Sequence, residues 1–163
     1  MPANPTIAAL AEIVLGACRA RGWKLATAES CTGGLVAAAL TAIAGSSDVF
    51  ERGFVTYSNR SKSEMLGIDA ALIEKLGAVS AETAAAMAAG ALAKAPVDLA
   101  VSITGIAGPG GSSADKPVGL VYFGIARRDG GVTTEKKIFS GDRDAVRRDA
   151  MLRALALLLE ASE

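Results

Sequence analysis

Ser30, in the run Ala28-Glu29-Ser30-Cys31-Thr32-Gly33-Gly34, is the hydroxyl best placed to act as a nucleophile. A short apolar stretch at 24–29 precedes it and a helical pattern at 35–43 follows, so it falls where a strand ends and a helix begins. Free backbone N–H groups and the positive end of the helix dipole gather at such a turn. Gly33 and Gly34 carry no side chains, which lets a substrate carbonyl approach main-chain donors at Thr32, Gly33 and Gly34 in the manner of an oxyanion hole. The competing reading is a helix cap, since Ser and Thr are preferred wherever helices begin, and either Ser30 or Thr32 would serve. Cys31 is a rival nucleophile, but without a histidine partner its thiolate would rest on the helix dipole and a nearby lysine. Packing is its simpler role.

A serine nucleophile needs a base, and the chain contains no histidine. That removes the residue most used for proton transfer, and with it the Ser-His-Asp triad and the Cys-His dyad. Lys62 follows the strand-like run Val55-Thr56-Tyr57-Ser58-Asn59. In a parallel sheet the carboxyl-terminal loops of neighbouring strands share one edge, where Lys62 and Ser30 can meet. A desolvated lysine has a lowered pKa, and its neutral amine can take a serine proton. Tyr57 can relay or hold that proton through its phenol. Against this, most lysines are solvated surface groups, and an aromatic residue on a strand is more often core.

Two further segments offer ligand contacts. The loop Thr104-Gly105-Ile106-Ala107-Gly108-Pro109-Gly110-Gly111 follows a buried strand, so Thr104, Gly105 and Gly108 can line an anion or carbonyl site with backbone N–H groups. It lacks the Gly-Lys-Ser/Thr ending of a phosphate-binding P-loop and the dinucleotide fingerprint, and read alone it equally suits a wide surface connection. Gly141-Asp142-Arg143 opens the last helix, and Arg143 at its entrance can reach a phosphate, although such arginines more often form a solvated face.

The 163 residues suit one domain, 1–163, with 51% hydrophobic and 21% charged residues. Lys plus Arg (17) equals Asp plus Glu (17), so no net field gathers nucleic acid. Two cysteines and no histidine cannot supply a usual closed zinc site, and no metal is expected. No run approaches the about 18 apolar residues of a membrane span, and no secretory signal precedes the cysteines, so a cytoplasmic location without membrane association is expected.

The elements that must position these residues follow from periodicity. Ile7, Leu10, Val14 and Cys18 recur at helical spacing across 6–21, and Gly22 stops them. Strand, tight turn and helix follow across 24–43, then a second strand at 53–58 and a short helix or turn at 59–66. Ser80 caps an alanine-rich helix at 80–94 whose thin face suits close packing. A buried strand at 98–104 leads through the glycine-rich loop to strands at 118–127 and 132–139, joined by Asp129-Gly130-Gly131 as a hairpin. The last helix starts near Asp142 and turns Val146, Leu152, Leu155 and Leu159 inward. Helices alternating with strands before a hairpin imply an α/β fold with a mixed sheet covered on both faces. The alanine-rich helix and the chain's size also suit a homodimer.

Several separate motifs, in order, resemble the CinA C-terminal domain family, whose members also occur alone as nicotinamide-nucleotide amidohydrolases. The resemblance rests on Thr27-Ala28-Glu29-Ser30-Cys31-Thr32-Gly33-Gly34, Ala44-Gly45-Ser46-Ser47, Phe54-Val55-Thr56-Tyr57-Ser58-Asn59 with Lys62, and Gly77-Ala78-Val79-Ser80. It continues through Ser102-Ile103-Thr104-Gly105-Ile106-Ala107-Gly108-Pro109, Lys116-Pro117-Val118-Gly119 and Gly141-Asp142-Arg143. It implies a three-layer α/β/α sandwich with a mostly parallel sheet that hydrolyses the carboxamide of nicotinamide mononucleotide. The products would be ammonia and nicotinic acid mononucleotide, with no metal or organic cofactor. The family's catalytic serine, tyrosine and lysine fall on Ser30, Tyr57 and Lys62. Two other readings stand beside it: a non-catalytic module that binds a nucleotide or a protein in competence or the DNA-damage response, and an amidase for another small amide.

Overall fold

The computed structural model describes residues 6–163. Thr6 caps helix α1 (Ile7–Ala20) by accepting the Ala9 N–H at 3.2 Å. There follow β1 (Leu25–Glu29), α2 (Leu35–Thr41), a 3-10 turn (Ser46–Asp48), β2 (Phe50–Val55), α3 (Asn59–Leu66) and α4 (Ala70–Leu76). The chain continues through α5 (Ala81–Lys94), β3 (Leu99–Gly105), β4 (Leu120–Arg127), β5 (Val132–Ile138) and α6 (Arg143–Ser162).

The sheet order is β2-β1-β3-β4-β5. The first three strands run parallel, and β4 and β5 join as antiparallel neighbours. Helices α1, α2 and α6 cover one face, and α3, α4 and α5 the other. This is the mixed α/β/α arrangement expected. The strand alternation sorts side chains by size between the two faces. Leu25, Leu99, Val101, Ile103, Val121, Phe123 and Ile125 point into the core under α1, α2 and α6. Ala26, Ala28, Ala100, Ser102 and Gly124 face α5, so that helix lies close. A Cβ on Gly124 would stand 2.4 Å from the Ala84 carbonyl oxygen, and Ser102 Oγ donates to the same carbonyl at 2.6 Å.

Three features differ from expectation. Strand β2 begins at Phe50 instead of Gly53, because Phe50 pairs with Leu25 and Arg52 with Ala26. As an edge strand it accommodates the polar Glu51-Arg52 that breaks the apolar pattern. Helix α4 arises where no element was read, started by Asp69, whose Oδ1 accepts the Ala71 N–H at 2.9 Å. The sheet is not covered at its far edge, since every residue of β5 except Glu135 is exposed. In α6, Val146 and Leu155 are buried and Leu152 and Leu159 half-buried, with Ala150, Met151, Ala154 and Leu158 completing the inward face.

Strand β1 is where the topology reverses: the chain leaves it by α2 to β2 on one side and reaches β3 on the other. A crevice therefore opens beyond the carboxyl ends of β1 and β3, the usual ligand position in such sheets.

Candidate active site

Alternation along β1 decides which way its last residues face. Ser30 turns toward α3 and α5, where α3 brings Lys62. The Ser58 side chain starts α3 by accepting the Ser61 N–H at 3.0 Å, and Gly67 ends it in a left-handed conformation. Lys62 is 1% exposed. Its Nζ lies 3.1 Å from Ser30 Oγ and donates to the Thr56 carbonyl at 2.8 Å. No carboxyl group pairs with it among the described residues. Burial therefore holds its pKa below the ordinary lysine value.

Ser30 does not cap α2. The cap position is Gly34, in a left-handed conformation and without a side-chain cap bond. Amides of the helix are taken by Glu29, a fully buried residue whose Oε1 accepts the Val36 N–H at 2.9 Å and Oε2 the Ala37 N–H at 3.1 Å. The Ser30 hydroxyl is thus left to Lys62. Cys31 lines the same cavity, but burial pushes its thiol up to about 12, which leaves it protonated and a poor nucleophile.

Ser30, Tyr57, Lys62, Thr104, Gly105, Gly108 and Arg143 all line one cavity of about 260 Å³. Cys31, Asn59, Ala78, Val79, Ile106 and Ala107 complete much of its wall. Thr104 faces it across a hydrogen bond from its Oγ1 to the Ala78 carbonyl at 2.8 Å. Gly105 has no room for a side chain, since a Cβ there would stand 2.8 Å from the Leu120 carbonyl oxygen. Arg143, the first residue of α6, donates from Nη1 to the Gly108 carbonyl at 2.8 Å and from Nη2 to the Tyr57 hydroxyl at 3.0 Å.

Two groups of expected site residues are placed differently from Ser30 and Lys62. Thr32, Gly33 and Gly34 are not among the lining residues: Thr32 is fully buried, and the Gly33 N–H donates to the Ser30 carbonyl at 3.0 Å. The amides of Leu35, Val36, Ala37 and Ala38 are spent on Thr32, Glu29 and Gly34. Tyr57 lines the cavity but does not hydrogen-bond to Ser30 or Lys62. It is 63% exposed, just past the end of β2, and its hydroxyl meets Arg143 and not Lys62 or Ser30. Thr56 points inward and Tyr57 outward, as alternation at a strand end requires.

The lining contains two basic side chains, Lys62 and Arg143, and no carboxyl group among the described residues. The model of the CinA C-terminal domain family matches residues 7–162. The chain belongs to the CinA C-terminal domain family. It is 55% identical over 143 residues to the nicotinamide-nucleotide amidohydrolase PncC of Enterobacter agglomerans, covering 88% of this chain and 87% of that one. With the PncC protein of Escherichia coli strain K12 it shares 54% over 149 residues, 91% of this chain and 90% of that one. A solved CinA-family structure, the competence/damage inducible protein CihA from Agrobacterium tumefaciens, superposes with a TM-score of 0.95 at 44% identity, covering 100% of both chains.

Within this CinA-type domain, sequence reasoning missed Glu29 and Arg147. Arg147 reaches from α6 to the turn after Ser30, donating from Nε to the Cys31 carbonyl at 3.1 Å and from Nη2 to the Thr32 carbonyl at 3.4 Å. Its i+4 spacing from Arg143 on the same helix face was the available signal. Among the described residues no helix is long and apolar enough to cross a membrane.

Proposed function

We propose that the protein is a nicotinamide-nucleotide amidohydrolase, cleaving the carboxamide of nicotinamide mononucleotide with Ser30 as nucleophile and Lys62 as base. The observation that carries this reading is the buried 3.1 Å pair of Lys62 Nζ and Ser30 Oγ at one wall of a cavity that also holds Arg143. The activity named for the PncC relatives supports the substrate.

As a neutral amine, Lys62 keeps one N–H on the Thr56 carbonyl and turns its lone pair to the serine hydroxyl. It takes the Ser30 proton as Oγ bonds to the amide carbon. The tetrahedral adduct collapses with C–N cleavage, and the Lys62 ammonium returns its proton to the leaving nitrogen, releasing ammonia. A water molecule then attacks the ester, giving its proton to Lys62. The C–Oγ bond breaks, and Ser30 recovers its proton. Since the amides of Leu35, Val36, Ala37 and Ala38 are occupied, the developing oxyanion would be held by main-chain amides of residues that line the cavity, such as Ala107 and Gly108.

Arg143 receives the phosphate. Its contacts are neutral oxygens, so its charge is free to pair with an anion, and the fork of a guanidinium matches a phosphate. Tyr57 forms the exposed rim beside it. Ammonia release measured on nicotinamide mononucleotide, nicotinamide riboside and nicotinamide tests this. The phosphorylated substrate should be strongly preferred, and Ser30→Ala and Lys62→Ala should each be inactive while folded. Full activity in either variant overturns the dyad, and equal rates on all three substrates overturn the nucleotide assignment.

A further inference from the structure

We propose that Glu29 is a positioning residue of the reaction, whose carboxyl group fixes the turn that aims Ser30 at Lys62; this rests on the Ser30–Lys62 reading above. A carboxyl group with no exposed surface and no cationic partner among the described residues is an expensive tenant for a strand end, where an apolar side chain would pack at no such cost. Glu29 is retained there with both oxygens engaged, one on the Val36 amide and one on the Ala37 amide. It therefore performs from the preceding strand the capping that the first helical positions lack, the cap position itself being glycine.

The main chain of the same residue reaches the other half of the dyad. The Glu29 carbonyl accepts the Thr56 N–H at 2.8 Å, the Thr56 carbonyl accepts Lys62 Nζ at 2.8 Å, and Lys62 Nζ meets Ser30 Oγ at 3.1 Å. Ser30 is bonded to Glu29, so these contacts close a ring. The backbone of Glu29 sets the height of Lys62, and its side chain sets the angle at which the chain leaves β1 through Ser30 toward α2. Two glycines with positive φ, Gly33 at 58° and Gly34 at 104°, make that turn compliant, so its geometry rests on its anchors: Glu29 on the α2 amides and Arg147 on the Cys31 and Thr32 carbonyls. Glu29 does not line the cavity and faces α2, so it neither touches substrate nor exchanges a proton with it.

The test pairs Glu29→Gln and Glu29→Asp with wild type and Ser30→Ala, using endpoint labelling by a fluorophosphonate to count competent serines and ammonia release from nicotinamide mononucleotide to measure turnover. Glutamine keeps the size but sets an NH2 group against an amide N–H. Aspartate keeps the charge but is one methylene too short to reach both amides. Both variants should still label, with the labelling rate and kcat per labelled site reduced at least about tenfold, KM within about threefold, and the pH dependence of kcat/KM unmoved. A merely structural role would lower the number of labelled sites or the melting temperature at unchanged kcat per site, and that result overturns the proposal. Wild-type turnover in Glu29→Asp overturns it as well, and this arm remains informative if the glutamine variant folds poorly. The Ser30→Ala arm separates the two layers. Activity there removes the underlying nucleophile assignment, whereas an inert Ser30→Ala beside a fully active Glu29→Gln removes only the role given to Glu29.

Discussion

Replacing Lys62 by methionine should abolish activity, cost little stability near neutral pH, and change how stability depends on pH. Methionine has a similar length and fills the same 1% exposed space with apolar atoms. The loss is the hydrogen bond to the Thr56 carbonyl, which is left unpaired at about 1–3 kcal/mol. The gain is about 1.5–3 kcal/mol for burying an apolar side chain where a cation was desolvated. The two nearly cancel, so at pH 7 the variant should lie within about 2 kcal/mol of wild type, whereas truncating an apolar core residue to alanine costs about 2–5 kcal/mol. Burial lowers the folded-state pKa of Lys62. In the unfolded chain the lysine keeps its proton up to about pH 10.4. Between the lowered value and that limit the unfolded state binds more protons than the folded one, and wild-type stability rises with pH. The limiting slope is about 1.4 kcal/mol per pH unit. Methionine has no such contribution. Urea unfolding of both proteins from pH 7 to 10.5 isolates it, because all other titrations cancel in the difference. The wild type should gain on the variant as pH rises, and parallel curves would refute the claim that folding weakens the hold of Lys62 on its proton.

The same amine sets the rate profile: kcat/KM should rise with pH as Lys62 is deprotonated, on an ionisation below the lysine value of about 10.4, and a rate that falls with rising pH contradicts it. Arg143→Ala should raise KM for nicotinamide mononucleotide about 10- to 100-fold, the loss of one charged contact of ~1.5–3 kcal/mol, with little effect on nicotinamide riboside in steady-state assays. Gly90→Ala would put a Cβ 2.3 Å from the Leu66 carbonyl oxygen at the end of α3, the helix that carries Lys62. The strain of about 1–3 kcal/mol exceeds the about 0.5–1 kcal/mol that alanine gains in a helix, so calorimetry should show a lower Tm, and assays a lower kcat as α3 shifts; an unchanged Tm refutes the close-packing argument.

Much of this molecule is legible in its residues. Periodicity located α1, α5 and α6, with Ser80 as the expected cap of α5 and the start of α6 near Asp142, which proves to cap it. Asp129-Gly130-Gly131 marked the hairpin, closed by the Arg127 N–H on the Gly131 carbonyl at 3.2 Å. The missing histidine directed attention to Lys62, and the structure brings it to Ser30. What stayed hidden depends on contacts distant in sequence. The polar Glu51-Arg52 joins a strand only because β1 offers an edge to pair with. Glu29 reads as an ordinary polar strand terminus until the α2 amides are seen to fold back onto it. The helix dipole at Ser30 suggests donors at Thr32, Gly33 and Gly34, but the Gly33 amide turns back onto the Ser30 carbonyl and the Val36 and Ala37 amides onto Glu29, and none of the three residues lines the cavity. The phenol of Tyr57 suggests a proton relay beside Lys62. It instead meets Arg143, 86 positions away, which no local pattern indicates.

The most direct test of the central claim is to look for the covalent intermediate. Wild-type protein mixed with nicotinamide mononucleotide and quenched in acid within the first turnovers should carry the nicotinate mononucleotide acyl group as an ester on the peptide containing Ser30, detected by mass spectrometry. Ammonia should appear in a burst of one equivalent per site if hydrolysis of the ester limits turnover. Ser30→Ala should show neither the adduct nor ammonia. Turnover in Ser30→Ala, or an acyl group found on Cys31 instead of Ser30, contradicts the account.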